Sequence, residues 1–233
     1  NPNFQQLQKL ASALRIPIGY LFLSHPPEIT IPITDFRTLP GKEKAGFSVD
    51  LQSVLDDALR KRDWYKEWRL QEGYTVFDFV GKFFSQPKPQ EIAADMRLVL
   101  NIPPRFTDDI STPAQHLSKF VQAVETAGII VLQNGVVGNN TQRKLSVEEF
   151  RGFALADKVA PLVFINAQDA TVARIFTLAH ELTHIWMGTS GISNPEFRSG
   201  ELETQEIEML CNQTAGQFLV PYEILMQHWD RRQ

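Results

Sequence analysis

The apolar positions of the chain recur with two periods, one near 3.6 residues and one near 2, and the helical period dominates the first half. Phe4, Leu7, Leu10, Ala11 and Leu14 stand at helical spacing, Pro17 interrupts, and Ile18-Gly19-Tyr20-Leu21-Phe22-Leu23 follows, which predicts two short helices meeting at a tight corner. Pro26, Pro27, Pro32 and Pro40 punctuate the next stretch. There Glu28 to Pro40 alternates Ile with Thr and is expected to run extended as a linker. Ser48 to Glu72 carries a long helical pattern with Val54, Leu55, Leu59, Trp64, Tyr65 and Trp68 on one side. Its aromatic stripe is expected to pack into the core and implies no cofactor. After Pro87 and Pro89, the positions Ile92, Ala93, Met96 and Leu100 predict a third helix that stops at Pro103-Pro104.

The second half changes character. A helix from about Pro113 to Ala127 turns Leu117, Phe120, Val121 and Val124 inward and ends at Gly128. Ile129-Ile130-Val131-Leu132 reads as a buried strand and Gly135 to Asn140 as a loop. Phe150 to Ala156 and Pro161 to Ile165 read as two strands around an Asp157-Lys158 turn, giving a sheet of about three strands. One helix follows from an Asp169 cap to Gly188, and another runs from Glu201 to Pro221. The expected fold class is α+β, with a helical N-terminal half and a small sheet packed against the last two helices. The expected divisions are residues 1–25, an extended linker over 26–47, a helical region over 48–110, and a domain over 111–233.

With 43% hydrophobic and 21% charged residues in 233, the composition is that of a globular protein. A formal net charge of -4 gives no basic field to hold nucleic acid, so DNA contact by this chain is expected to be weak or absent. One Cys excludes a disulfide framework and a Cys-rich zinc finger and points to a reducing compartment, the cytoplasm. In that setting the Asn139-Asn140-Thr141 sequon has no consequence. No apolar run is long enough to cross a bilayer and no signal design opens the chain, so no membrane partner is expected. The opening Asn1-Pro2-Asn3 without Met suggests a fragment or a processed chain.

Chemistry concentrates in His180-Glu181-Leu182-Thr183-His184, an H-E-x-x-H inside a helical stretch. Residues four apart share a helix face, so both imidazoles can reach one tetrahedral zinc. Glu181 is rotated about 100° around the axis, too far to be a third ligand but placed to act as a general base on an attacking water. Phe176, Ala179, Leu182, Ile185 and Trp186 make the segment apolar nearly all round, hence buried, and buried imidazoles and a carboxylate need partners that a metal supplies. The helix from Glu201 offers a third ligand. Glu201, Glu203 and Glu206 are expected to face solvent, whereas Glu208 shares a face with Asn212, so a carboxylate could bind zinc while the amide orients a ligating His. Cys211 is the rival ligand, although a lone Cys between Leu210 and Phe218 is more often a small core residue.

The run Phe176-Thr177-Leu178-Ala179-His180-Glu181-Leu182-Thr183-His184, with Glu208-Met209-Leu210-Cys211-Asn212 and Phe218-Leu219-Val220-Pro221, resembles the ImmA/IrrE family of zinc metallopeptidases. The likeness reaches Arg151-Gly152-Phe153-Ala154 and Pro161 to Asn166 and covers roughly residues 112 to 225. It implies a gluzincin-like fold, His180, His184 and Glu208 as zinc ligands, Glu181 as base, and a helix-turn-helix repressor as protein substrate. Phe4 to Ala11 with Pro17 to Phe22 is similar to the last helices of XRE-type helix-turn-helix domains, and the helices that would read a major groove are missing.

If the site is catalytic, the reaction is peptide-bond hydrolysis, with Glu181 taking the proton of the attacking water and passing it to the leaving amine. The strand Phe150 to Ala156, if it is the sheet edge beside the cleft, could align an extended substrate by main-chain pairing. Arg143, Arg151 and Tyr222 are candidate oxyanion donors, though packing or surface ion pairs account for each, and His25, His116 and His228 have no partner at ligand spacing. Two other readings are a non-hydrolytic transcriptional regulator that uses the domain to sense metal or ligand, and a structural zinc. Glu181 favours the enzyme, because neither alternative needs a base.

Overall fold

The computed structural model describes residues 2–14, 16, 18–25, 34–35, 47–84, 88–104, 112–193 and 202–228. The expected linker lies outside these residues except at Thr34, Asp35 and Phe47, as do Pro17, Pro87 and Glu201. The chain divides into two units, residues 1–32 and 33–233. In the first, helix α1 (Phe4–Leu14) starts at a reciprocal cap in which the Asn3 and Gln6 backbone N–H groups donate to each other's side chains, at 2.8 and 2.9 Å. The second expected helix is only a 3₁₀ segment, Ile18–Phe22, because five residues cannot close more than one turn.

In the second unit, α2 (Val49–Gln71) begins where the Ser48 hydroxyl accepts the Leu51 N–H and itself donates to Glu149. Its first half is core, with Leu51, Val54, Leu55 and Ala58 buried. The aromatic stripe departs from expectation: Trp64 is 70% and Trp68 39% exposed, while Arg69 is buried. The guanidinium lies 4.6 Å from the Tyr74 ring centroid and 4.3 Å from that of Phe77, so its flat face takes the space expected for an indole.

Helices α3 (Pro89–Leu100) and α4 (Pro113–Thr126) follow; Thr112 caps α4 through the Gln115 N–H. Past α4 the chain turns at Gly128, with φ +88, and a Cβ there would stand 2.4 Å from the Phe77 ring, so only glycine fits.

Among the described residues the sheet has five strands in the order β1-β7-β5-β6-β2. β2 (Ile130–Asn134) runs parallel to β6 (Leu162–Asn166), and β5 (Gly152–Leu155) is antiparallel to β6. β7 (Gly191–Ser193) is antiparallel to β5, and β1 (Thr34–Asp35) is parallel to β7. A separate hairpin joins β3 (Val136–Val137) to β4 (Asn140–Lys144). The expected three strands are therefore corrected to five plus a hairpin: the added strands are too short to show a period, and Gly138 at φ +57 sits between the hairpin strands within the expected loop. The expected Asp157 turn is present, its carboxylate accepting the Val159 and Ala160 N–H groups. β5 is an interior strand, which corrects the expected sheet edge.

Helix α5 (Thr171–Met187) crosses β5 and β6, and α6 (Leu202–Leu219) packs on α5 and α3, followed by α7 (Tyr222–His228). Ala170, not Asp169, holds the α5 N-cap position, because the Asp169 carboxylate is drawn into an ion pair with Arg151 at 3.1 Å. At the other end of α6, the Arg97 guanidinium donates to the Gln217 and Phe218 carbonyls, closing the helix with a cation. Met96, Phe120, Ile165, Leu178, Trp186 and Phe218 meet in one core between helices and sheet. Among the described residues, no helix is long and apolar enough to cross a membrane.

Candidate metal centre

Every residue of α5 from Thr177 to Met187 is buried, and the segment closes on Gly188 in the left-handed conformation, with φ 71. His180, Glu181 and His184 are each 0% exposed. One turn apart on the same face, the two imidazoles bring their Nε2 atoms to 3.3 Å. Helix α6 adds Glu208, whose Oε2 lies 3.3 Å from Nε2 of His180 and whose Oε1 lies 3.2 Å from Nε2 of His184.

The outer ring nitrogens fix what the inner ones can do. Nδ1 of His180 lies 3.0 Å from Oδ1 of Asn212, and Nδ1 of His184 lies 3.0 Å from Oγ1 of Thr189. The amide oxygen only accepts, and the Thr189 hydroxyl spends its proton on the His184 carbonyl at 3.4 Å, so each Nδ1 donates. In the neutral rings both Nε2 atoms then carry lone pairs, and they face two carboxylate oxygens. Four acceptors around one point have no donor among them, so a cation must balance them.

Protons can be that cation. Burial pushes the His180 pKa down, but hydrogen bonding and charge from Glu208, then the charge of Glu181, outweigh it and raise it overall. Burial likewise raises the Glu208 carboxyl, and the two histidines override it, holding it at about 2. A divalent metal satisfies the same four acceptors without protonating either ring, and two nitrogens with a carboxylate are a donor set suited to zinc. Cys211 Sγ also clusters with the two imidazoles, all within 4.8 Å of one another. Burial first, and the charges of Glu208 and Glu181 after it, push its thiol well above the usual range. Glu208 and Cys211 both stand beside the two imidazoles.

Residues 136–233 match the model of a peptidase family, M78, described as the IrrE N-terminal-like domain. The chain is similar to a metal-dependent peptidase. No curated protein and no solved structure matches it. The M78-like segment begins at β3 and contains every residue of the histidine–glutamate cluster, Asn212 and Thr189 included.

Within this segment Glu181 brings one carboxylate oxygen up to strand β5. A Cβ at Gly152 of β5 would stand 2.9 Å from Glu181 Oε1 and 2.9 Å from the Phe164 carbonyl, so β5 approaches the carboxylate as only glycine allows. Sequence reasoning did not assign Gly152 or Thr189 a role. Thr189 was findable, since the residue after a helix-ending Gly188 folds back over the last turn. Of the expected oxyanion donors, Arg143 is bonded to Asp50 at 2.6 Å and Arg151 to Asp169, while Tyr222 is exposed on α7. His116 is not among the residues that cluster with His180 and His184, and the His228 side chain lies outside the described residues.

Because Asn212 and Thr189 hold the rings, Asn212→Ala and Thr189→Val are each expected to weaken metal affinity by roughly 10–100-fold. Competition with a chromogenic chelator measures this directly, and wild-type affinity in Thr189→Val would show that the hydroxyl does not orient His184.

Proposed function

We propose that the chain is a zinc-dependent endopeptidase of gluzincin type, with His180, His184 and Glu208 as metal ligands and Glu181 as general base. The observation that carries the reading is the convergence of two Nε2 atoms on the Glu208 carboxylate, with both Nδ1 atoms engaged by Asn212 and Thr189. Zinc held there supplies a Lewis acid that polarises the scissile carbonyl and lowers the pKa of water. The remaining work falls to side chains. Asn212 and Thr189 keep both rings in one tautomer and orientation, and the Phe218 and Leu219 end of α6, closed by Arg97, fixes the helix that carries Glu208. Glu181 takes the proton of the attacking water and returns it to the leaving amine.

The substrate is a protein segment in extended conformation. A helix-turn-helix repressor is the candidate that the resemblance to ImmA/IrrE peptidases supports, in a reducing, cytoplasmic setting. Complete burial of His180, Glu181 and His184 favours a second reading, a non-hydrolytic regulator that senses metal.

Elemental analysis tests the ligand set. About one zinc per wild-type chain is expected, with most of it lost in Glu208→Ala and retained in Cys211→Ala. Loss in Cys211→Ala alone would move the third ligand to the thiolate.

A further inference from the structure

This inference rests on the peptidase reading and concerns how its site is reached. β5 is the strand that lies against the base, through Gly152 and Glu181. An extended peptide delivered to Glu181 would pair with a main-chain edge of β5. One edge is bonded to β6, from Gly152↔Ile165 to Leu155↔Leu162. The other is already filled by this chain's own β7, antiparallel, in the register Gly152↔Ser193, Phe153↔Ile192 and Ala154↔Gly191. Ser190 roots that strand, its hydroxyl accepting the Ala156 N–H at 2.8 Å, and Ile192 is fully buried. β1 then covers the outer side of β7 through Thr34 and Asp35.

We propose that β7 is a self-supplied strand in the substrate's place, and that the chain is latent until β7 leaves β5. Two observations join here. His180, His184 and the base Glu181 are each 0% exposed in the complete sheet, and within the cluster Glu208 keeps 13% of its side chain exposed. The element along β5 is also the lightest bonded part of the sheet on that side: three residues, covered by a strand of two, against five paired residues between β2 and β6. Such short strands open at far lower free energy than the core they flank. Departure of β7 frees the N–H and C=O groups of β5 from Gly152 to Ala154 for an incoming peptide, pairing as an added strand.

Two measurements test this. Hydrogen–deuterium exchange on the unmodified zinc-loaded chain should show Ile192 exchanging at least about 100-fold faster than the amides of β6. Equal protection would make β7 a permanent part of the sheet and overturn the proposal, whatever the chain hydrolyses. Ala154→Cys with Gly191→Cys, residues directly opposed across the two strands, can be locked by oxidation and released by reduction. The oxidised chain should keep its zinc and cleave unfolded, labelled casein at least tenfold more slowly than the reduced chain. Equal cleavage in both states would overturn latency. A wild-type chain that holds zinc and never cleaves casein, yet shows the fast Ile192 exchange, would instead sink the peptidase reading while supporting a displaceable strand.

Discussion

Glu181→Gln is expected to retain about one zinc per chain and to lower peptide hydrolysis by roughly 10²–10⁴-fold, the usual loss when a positioned base is removed. The substitution is close to isosteric, which matters at this position. The carboxylate is fully buried beside Gly152, where a larger side chain would not fit and a smaller one would leave a void. Glutamine fills the same volume but cannot accept and return a proton. None of His180, His184 and Glu208 changes, so metal content separates loss of the base from loss of the site. Parallel measurement of zinc and of casein cleavage decides the matter. Undiminished cleavage would place the base elsewhere, and a regulatory activity that survives the substitution would favour the non-hydrolytic reading.

Trp186→Ala is expected to destabilise the chain by about 3–5 kcal/mol. The indole is 0% exposed and stacks on Phe79 with ring centroids 4.6 Å apart. Its Nε1–H donates to Asp95 Oδ2 at 2.8 Å, and Lys82 pairs with the other oxygen of the same carboxylate. Truncation removes the stacking, leaves a cavity beside α5 and strips a buried donor from Asp95. Trp186→Phe keeps most of the volume and loses the N–H, so it should cost only about 1–3 kcal/mol. Denaturant midpoints of the three proteins, at constant m, give both values. Equal costs for Trp186→Ala and Trp186→Phe would show that the hydrogen bond lost in both, not packing, holds α5 against α3.

The site was more legible than the fold around it, and the reason is periodicity. H-E-x-x-H sets two imidazoles on one helix face by spacing alone, and Glu208 with Asn212 repeats that spacing one helix later. All four side chains meet where the spacing implied, Asn212 on His180 included. Helices announced by eleven or more residues were legible too, although their caps, Ser48 and Thr112, were not assigned from the sequence. What failed depends on distant partners. β1 and β7 are two and three residues long, too short for any alternation, and exist because β5 offers them an edge. Whether β5 itself was an edge could not be decided without them. Trp64 and Trp68 misled because a helical stripe records which residues share a side, not how far along that side the core extends. Arg69 shows the converse, a cation buried by aromatic faces that no hydrophobicity pattern marks.

The pairing of β1 with β7 ties a strand near the beginning of the chain to one that follows the histidine-bearing helix. During synthesis β1 therefore leaves the ribosome long before anything exists for it to pair with, and Glu208 is made later than both histidines. A growing chain holds an incomplete ligand set through most of its translation. On the reading proposed above, the cluster and the strand along β5 are completed at nearly the same moment, so a peptidase of that design would pass through no stage at which a finished site stands open among other nascent chains.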